Sequence, residues 1–301
     1  MALSDLDRVV LGHNPFFGVD HLSQAKAAER DAKFQAVDGI LEMVRFARDN
    51  GVRGMMMSTH PRASLVADAL RSDPPLLDSL NIYPLLPYIA KYVRQSNEKG
   101  LVNVVLDQVK GAGVGQTLSM FTRGGLAVLR KDVQEILRTL IQVELLPFRD
   151  LRVKAVFLHD ALTDLGLALE MRGIFELYLE EIARRYEAEP AFATKNLPLL
   201  AEKFRAWGFE KPLVLTHFNK VGFNMNPSRQ ACERCLAESD VQIMTMGSLA
   251  SGYLKPDEAY RYLFGLPRMD SVVVGVSTRA HAEETFAAIG RYWSAWPASA
   301  A

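Results

Sequence analysis

The sequence predicts an α/β protein folded as a single (β/α)8 barrel, the TIM barrel. Short apolar runs rich in β-branched residues alternate with longer amphipathic stretches, which is the pattern of a parallel sheet covered by helices. Eight such runs occur, and 301 residues are enough for a barrel of about 250 residues with insertions. An open doubly wound sheet is disfavoured because the first turn, GHNP at residues 12–15, lacks the dinucleotide-binding glycine pattern.

The predicted strands are residues 8–14, 53–59, 81–88, 153–160, 191–196, 213–219, 241–248 and 271–277. The fifth is the weakest, because it is short and follows Pro190. Helix ends are also visible in the sequence. Gly51 is expected just past the end of the first long helix, and Pro256 with the two acids after it opens a later helix.

Residues 89–152, between the third and fourth predicted strands, form a longer connection than one helix requires. We expect an extended helical insertion here, within a single domain that covers residues 1–301. Its glycines, in GAGVG at 111–115 and TRGG at 122–125, would let the insertion close over the barrel mouth as a lid. Two helices joined by flexible turns are the alternative.

Composition narrows the classes of partner. Lys plus Arg equals Asp plus Glu, at 35 each, and no basic stripe is visible, which argues against nucleic acid and anionic membrane surfaces. No apolar stretch approaches the ~18 residues that span a bilayer, and no signal peptide is visible. The two cysteines, Cys232 and Cys235, make no disulfide framework. We therefore expect a cytoplasmic protein with a small-molecule substrate; zero net charge permits self-association.

Three segments of the last third have a common order and spacing. They are VLTHFN at 214–219, VQIMTMGSLASGYL at 241–254 and SVVVGVSTRAHAEETF at 271–286. Together they resemble the last three βα units of the aldo-keto reductases. In that family the seventh strand ends in a Ser-Pro-Leu-like turn followed by glycine, and the turn after the eighth receives a nicotinamide dinucleotide phosphate. The resemblance implies a reductase that binds NADPH.

The resemblance places the phosphates of the cofactor at Ser248, Gly275, Ser277 and Arg279. Physical arguments agree, because barrels commonly bind phosphate at the loops after strands seven and eight and at a helix N-terminus. Gly275 would let the backbone approach a ligand closely, and Arg279 could bind an anion through two hydrogen bonds. A plain helix cap at Ser277 or Thr278 is the alternative, and it does not exclude phosphate binding.

The resemblance further implies an amide-binding asparagine at Asn196 and an aromatic residue that stacks on the cofactor at Phe218. The catalytic residues of the family correspond less well. Those reductases use an Asp and a Tyr after the second strand, a Lys on the third and a His on the fourth. Here Met57 and Ser58 stand where the Asp is expected, no tyrosine follows, and the third strand has no lysine. His159 alone matches, so protonation of a carbonyl needs another donor.

Histidines end four of the predicted strands. These are His13, His60, His159 and His217, while Asp160 follows His159 and Lys195 ends the fifth strand. Residues at these strand ends face the active-site mouth of barrel enzymes. His159 with His60 or His13 could act as acid and base on a carbonyl substrate, since imidazole titrates near neutral pH.

Other functions remain open at this stage. Three of the four candidate ligands His13, His60, His159 and His217 could bind a divalent metal together with Asp160, in a hydrolase or lyase. Lys195 could form a Schiff base if it is desolvated, or it could be a solvated loop residue. A catalytically silent barrel that binds a nucleotide is a third possibility. His21 and His281 are interpreted as structural.

Overall fold

A computed structural model describes residues 5–19, 24–88 and 133–293. It contains eight strands, each parallel to the next, and β8 pairs with β1 to close the barrel in the order β1 to β8. The strands are β1 Val9–Leu11, β2 Gly54–Ser58, β3 Asn81–Leu86, β4 Ala155–Leu158, β5 Glu189–Thr194, β6 Leu213–His217, β7 Gln242–Met246 and β8 Ser271–Val274. The predicted (β/α)8 fold and all eight strand positions are confirmed.

The fifth strand begins earlier than the sequence suggests. Glu189 and Pro190 pair with Ala155 and Val156 of β4, although Pro190 has no N–H to donate. A proline is tolerated near the first residue of a strand because the ladder there needs only some of its hydrogen bonds.

Helices connect the strands on the outside of the barrel. They are α1 Gln24–Lys33, α2 Val37–Asp49, α3 Pro61–Arg71, α4 Pro74–Leu77, α5 Val133–Leu145, α6 Asp160–Ala168, α7 Arg172–Arg185, α8 Leu197–Trp207, α9 Arg229–Glu238, α10 Pro256–Leu263 and α11 Arg279–Tyr292. As predicted, α2 ends just before Gly51, whose φ of 89° is left-handed, and Pro256 begins α10. No helix in the described ranges has both the length and the apolar character needed to cross a membrane.

The proposed lid cannot be placed. Of the insertion predicted at 89–152, residues 89–132 lie outside the described residues, and α5 with the short 3-10 turn Leu146–Phe148 forms the remainder before β4. Buried leucine and isoleucine side chains of α5 pack into the core between the sheet and the helices.

Side chains on the strands alternate between two cores. Val10, Phe157 and Leu215 belong to the core inside the barrel. Their neighbours Leu11 and Leu158 belong to the larger core between the sheet and the helices. This period of two fixes which residues at the end of each strand point toward the barrel axis.

Asp7 closes the N-terminal end of the barrel. Its carboxylate accepts hydrogen bonds from the hydroxyl of Tyr83 at 2.5 Å and from the amide of Asn81 at 2.8 Å, and its carbonyl accepts one from Ser271 at 2.6 Å. Burial, and then the charge of Asp7, raises the pKa of Tyr83 far above its ordinary value, so Tyr83 stays a donor. Asp7 thereby connects β3 and β8 beneath the inner core.

Asp7→Ala should lower the free energy of unfolding by about 1–3 kcal/mol, because it leaves the fully buried Tyr83 hydroxyl without this acceptor. Urea unfolding followed by circular dichroism measures the change. Asp68→Ala is the matched control, since Asp68 forms only an exposed pair with Arg71 and should cost less than about 1 kcal/mol. Equal losses in the two variants would contradict the role given to Asp7.

Candidate functional site

The last inward-facing layer of the barrel carries three polar side chains. His217 ends β6 with the same orientation as Leu215 of the inner core. By the same alternation, His159 after β4 and Lys195 after β5 point inward, and the N–H of His159 continues the ladder by donating to Leu86 at 2.8 Å. All three lie at the C-terminal end of the barrel, where barrel enzymes have their active sites.

His159, Asp160 and Lys195 form a connected group in this layer. His159 Nδ1 lies 2.7 Å from Asp160 Oδ1, and Lys195 Nζ lies 3.1 Å from Asp160 Oδ2. The Asp160 side chain is only 12% exposed, whereas those of His159 and Lys195 are 27% and 43% exposed. One buried carboxylate therefore holds an imidazole and an ammonium that both remain open to a ligand.

The contact with Asp160 fixes the tautomer of His159. A ring nitrogen 2.7 Å from a carboxylate oxygen needs a proton between the two atoms, so Nδ1 is protonated. The N–H of Ala161, which lies 3.2 Å from this nitrogen, has an alternative acceptor in Asp160 Oδ1 at 3.0 Å. Nε2 is consequently the nitrogen that can gain or lose a proton at the barrel mouth.

The same contacts keep Asp160 ionised. Burial alone would raise the pKa of Asp160, but the hydrogen bond from His159 and the charges of His159 and Lys195 hold it well below the ordinary value of 3.8. Asp160 is therefore a permanent negative charge beside His159 at neutral pH.

Asp164 holds the backbone of Lys195 from one turn further along α6. Its carboxylate accepts the Lys195 N–H at 3.1 Å and a short hydrogen bond from the Thr194 hydroxyl. Burial raises the pKa of Asp164, and the hydrogen bond from Thr194 opposes the rise. On the other side, the carbonyl of Lys195 accepts the N–H of Asn226 at 2.9 Å. Lys195 is thus fixed through both its backbone and its side chain.

His13 and His60 lie together in a row of rings that follows β1, β2 and β3. Phe17 lies between them, 5.3 Å from the His13 ring and stacked on the His60 ring at 5.0 Å. The ring of Tyr88 packs edge-on against His60 at 4.9 Å. His60 Nδ1 accepts the N–H of Arg62 and so caps α3, which makes Nε2 the protonated nitrogen of its neutral form. The row forms an aromatic wall beside the ends of these strands, in which His13 and Phe17 are buried and His60 and Tyr88 are partly exposed.

The position of Tyr88 depends on a buried contact. The Tyr88 N–H donates to Thr59 Oγ1 at 2.9 Å, and the Thr59 hydroxyl in turn donates a short hydrogen bond to the buried carboxylate of Glu144 on α5. Tyr88 was missed as a site residue because it follows the third strand rather than the second. The single tyrosine directly after NIYPLLP is the only sequence signal that could have found it.

His217 is enclosed by the loops after β6 and β7. Its ring lies edge-on to Phe223 at 6.4 Å, and Asn224 Nδ2 lies 3.5 Å from its Nε2. Gly247 packs directly on it, because an added Cβ would lie 2.5 Å from His217 Cδ2. Phe218, which the resemblance assigned to cofactor stacking, is fully buried in the core between sheet and helices. His217, one residue earlier, occupies the inward position.

The residues expected to hold phosphates follow β7 and β8. Ser248 is buried, and its hydroxyl has no hydrogen-bond partner in the described part of the chain. A buried hydroxyl without a hydrogen-bond partner destabilises the fold, and a ligand oxygen at this place would supply the missing acceptor. Gly275 is exposed, and an added Cβ would press on Pro15 at 3.2 Å. Ser248 therefore fits a phosphate-bearing group, whereas the missing side chain of Gly275 makes room for Pro15.

The positively charged side chain that contacts the backbone just before α11 is not the expected Arg279 but Lys33. Thr278 caps the helix by accepting the His281 N–H at 3.1 Å. Arg279 pairs with Glu42 at 2.6 Å on the outer surface, but this pair is exposed and therefore weak. Lys33 of α1 donates instead to the Ser277 carbonyl at 2.6 Å. Lys33 is the cation that sequence reasoning missed, because α1 is far from α11 along the chain.

Asn196 has a structural task of its own. Its Oδ1 accepts the Leu199 N–H at 3.2 Å and caps α8, so only its side-chain NH2 can serve a ligand.

The metal hypothesis gains no support from the geometry. Across residues 5–19, 24–88 and 133–293, no three His, Cys, Asp or Glu side chains are close enough together to hold a metal ion.

Comparison with known proteins identifies the fold. No protein-family model matches the sequence, and no curated protein matches it either. Solved structures do match. A Pseudomonas aeruginosa protein assigned to the aldo-keto reductases has a TM-score of 0.61 and 14% identity, over 94% of this chain and 90% of its own. An aldo-keto reductase from a Medee basin deep-sea metagenome library has a TM-score of 0.52 and 11% identity, over 96% and 91%.

A third match is an aldo/keto reductase from Brucella melitensis, with a TM-score of 0.50 and 12% identity, over 92% of this chain and 87% of its own. This chain therefore shares its barrel fold with these solved structures along nearly its whole length. The resemblance seen in the last third of the sequence extends, at the level of fold, to the rest of the chain.

Gly247→Ala should destabilise the protein more than Gly252→Ala. Both glycines have left-handed φ values, 68° and 86°, which cost alanine about 1–2 kcal/mol. Only at Gly247 would the new methyl group also collide with His217, which adds about 1–3 kcal/mol. Urea unfolding of the two variants isolates this difference. Similar losses in both would show that Gly247 does not pack tightly on His217.

The contribution of Asp160 to stability should depend on pH. Because its pKa is lowered in the folded state, the unfolded chain takes up the proton first as the pH falls. The advantage of the wild type over Asp160→Asn is then fully present above about pH 5 and declines as the pH drops below 4. Asp164→Asn is the control, because the pKa of Asp164 is raised in the folded state. The stability of the wild type relative to Asp164→Asn should therefore increase, not decrease, as the pH falls. Unfolding free energies between pH 7 and pH 3 measure both; parallel profiles would contradict the assignment.

Proposed function

We propose that this protein is an oxidoreductase that binds NADPH at the C-terminal ends of β7 and β8 and reduces the carbonyl group of a small molecule, with His159 as the proton donor. The observation that carries the proposal is the group formed by His159, Asp160 and Lys195 at the strand ends. It provides an imidazole whose orientation is fixed by its contact with a carboxylate that stays ionised. The aldo-keto reductase type of barrel supports the choice of reaction, since neighbours with this fold are described as reductases.

The proposed cofactor residues are those that fit a phosphate. Ser248 would donate its hydroxyl, Gly275 would allow close approach of the backbone, and Lys33 with Ser277 would meet an anion at the start of α11. Arg279 would join them by leaving its exposed partner Glu42, at small cost. Asn196 has its NH2 group available for an amide. When bound, NADPH would supply the hydride that the carbonyl carbon receives.

His159 moves the proton in this proposal. Its protonated form donates from Nε2 to the carbonyl oxygen as the carbonyl carbon is reduced, and the neutral ring then takes a proton from solvent. Asp160 keeps Nδ1 protonated and the ring in place. The carboxylate and the ammonium at this site come from Asp160 and Lys195, beside β4 and β5. The family's pattern would place them after strands two and three.

The aromatic wall would contact the remainder of the substrate. His60 and Tyr88 are partly exposed beside β2 and β3 and would meet an apolar or aromatic group, while the buried Phe17 stacks on His60 from behind. His13 packs behind Phe17 and supports it. In this arrangement His60 and His13, first considered as acid–base partners of His159, serve substrate binding.

The proposal is tested by measuring the melting temperature of the protein in increasing NADPH, with NADH in parallel. We expect stabilisation that grows with concentration, because a ligand of the native state shifts the unfolding equilibrium. Ser248→Val should leave the melting temperature without ligand nearly unchanged and weaken NADPH binding about tenfold, since its hydroxyl has no partner in the described structure. Thr285→Val, which removes another such hydroxyl away from the site, is the matched control.

His159→Gln should keep NADPH binding and lower kcat by roughly 10²–10⁴, the usual contribution of a general acid. Steady-state reduction of a panel of aldehydes and ketones, followed at the absorbance of NADPH, measures this. No stabilisation by either dinucleotide at millimolar concentration would refute the proposal. Full activity of His159→Gln would remove His159 from the role of donor.

A further inference from the structure

Lys195 has unused binding capacity at the barrel mouth. An ammonium group has three N–H donors, and Lys195 has one contact, with Asp160 Oδ2 at 3.1 Å, among those recorded for it. Its side chain is inward-facing and 43% exposed. It therefore presents donors and positive charge to the space where His159 Nε2 would meet a substrate.

Lys195 is also held more firmly than a lysine on the surface. Its N–H is bound by Asp164 and its carbonyl by the N–H of Asn226. By comparison, Lys220 is 51% exposed, and its ammonium pairs with Glu258 at 2.6 Å on the outside of the molecule. A backbone that is already fixed loses no further entropy when its side chain binds a ligand, so Lys195 is suited to recognition.

The surrounding charges favour an anion at this position. Asp160 is the one carboxylate that contacts both His159 and Lys195, and it is shared between them. The carboxylate of Asp164 is directed to Thr194 and the backbone of Lys195, so it is already satisfied. The remaining inward side chain nearby along the sheet, His217, carries no negative charge. Asp160 is the carboxylate paired with the Lys195 ammonium among the described residues, and a substrate anion would meet the remaining N–H donors of Lys195.

Distance restricts where that negative charge can lie in a substrate. His159 and Lys195 bind the two oxygens of the same carboxylate, at 2.7 and 3.1 Å. Both side chains thus lie beside one carboxylate, so the carbonyl that takes a proton from His159 and the group that binds Lys195 can belong to one small molecule. A carboxylate bonded directly to the carbonyl carbon meets this condition, and the aromatic wall suits its apolar remainder.

We propose that Lys195 is the receptor for a substrate carboxylate, and that the substrates are 2-oxo acids with an apolar or aromatic side group. This inference rests on the proposed reductase function for its chemistry, but carboxylate binding can be measured without any reaction. Lys195 would act as a residue that determines specificity, while His159 remains the proton donor.

The test compares benzoylformate, an aromatic 2-oxo acid, with its neutral methyl ester. In the wild type we expect the acid to have the higher kcat/KM. Lys195→Met should lower the ratio of acid to ester by about tenfold to a hundredfold, which is the effect of losing one hydrogen bond to a charged group. Any general damage to Asp160 or His159 would lower kcat/KM for the acid and for the ester by the same factor, and the ratio would stay unchanged. Lys195→Arg should retain most of the ratio, and Lys220→Met is the matched control.

Calorimetric binding of mandelate, the product of benzoylformate reduction, to the protein without cofactor separates the two proposals. Loss of mandelate binding in Lys195→Met but not in Lys220→Met supports the carboxylate site even if no reduction is detected, in which case the reductase proposal alone fails. Reduction of both compounds with a ratio that Lys195→Met does not change overturns the carboxylate site and leaves the reductase proposal intact. Unchanged mandelate binding in Lys195→Met also overturns it.

Discussion

Closure of the parallel barrel is the constraint on which the rest of the structure depends. Once β8 pairs with β1, every strand has one side toward the axis and one toward the helices, and all eight carboxyl ends meet at one mouth. The inner core is then filled by alternate residues such as Val10 and Phe157, and the next inward position on each strand belongs to the mouth. The side chains of the candidate site gather there because no other direction is open to them.

The mouth is built from residues that also begin helices. Each strand is followed by a helix whose first N–H groups need acceptors, and His60, Asn196 and Thr278 supply them. His159 occupies the same cap position before α6, and its Nδ1 also lies 2.7 Å from the buried carboxylate of Asp160. This contact with a carboxylate distinguishes His159 from His60, although both histidines follow a strand directly.

The proposed site explains how a barrel with the fold of these reductases could work without most of the catalytic residues that the resemblance implies. A carboxylate and a lysine are still present beside the histidine, but they come from the ends of β4 and β5. Ser58 ends β2 and Thr59 follows it, and Thr59 helps to hold Tyr88 beside His60. The two halves of the mouth then have different characters, one aromatic and one charged, and this division leads to the substrate class inferred above.

The sequence by itself determined the fold class, the eight strands and the inward position of His159, Lys195 and His217. These follow from periodicity and from strand order, which are local properties of the chain. Neighbouring residues of a strand face opposite sides of the sheet, and the prediction for Phe218 was wrong by one residue. Phe218 was expected at the mouth, yet it lies in the outer core, while His217 points inward. Only the tertiary structure brought Lys33 to Ser277, Asp164 to Lys195 and Phe17 between His13 and His60. Those contacts join segments distant along the chain, and their partners depend on how the helices pack around the closed sheet, which no local pattern records.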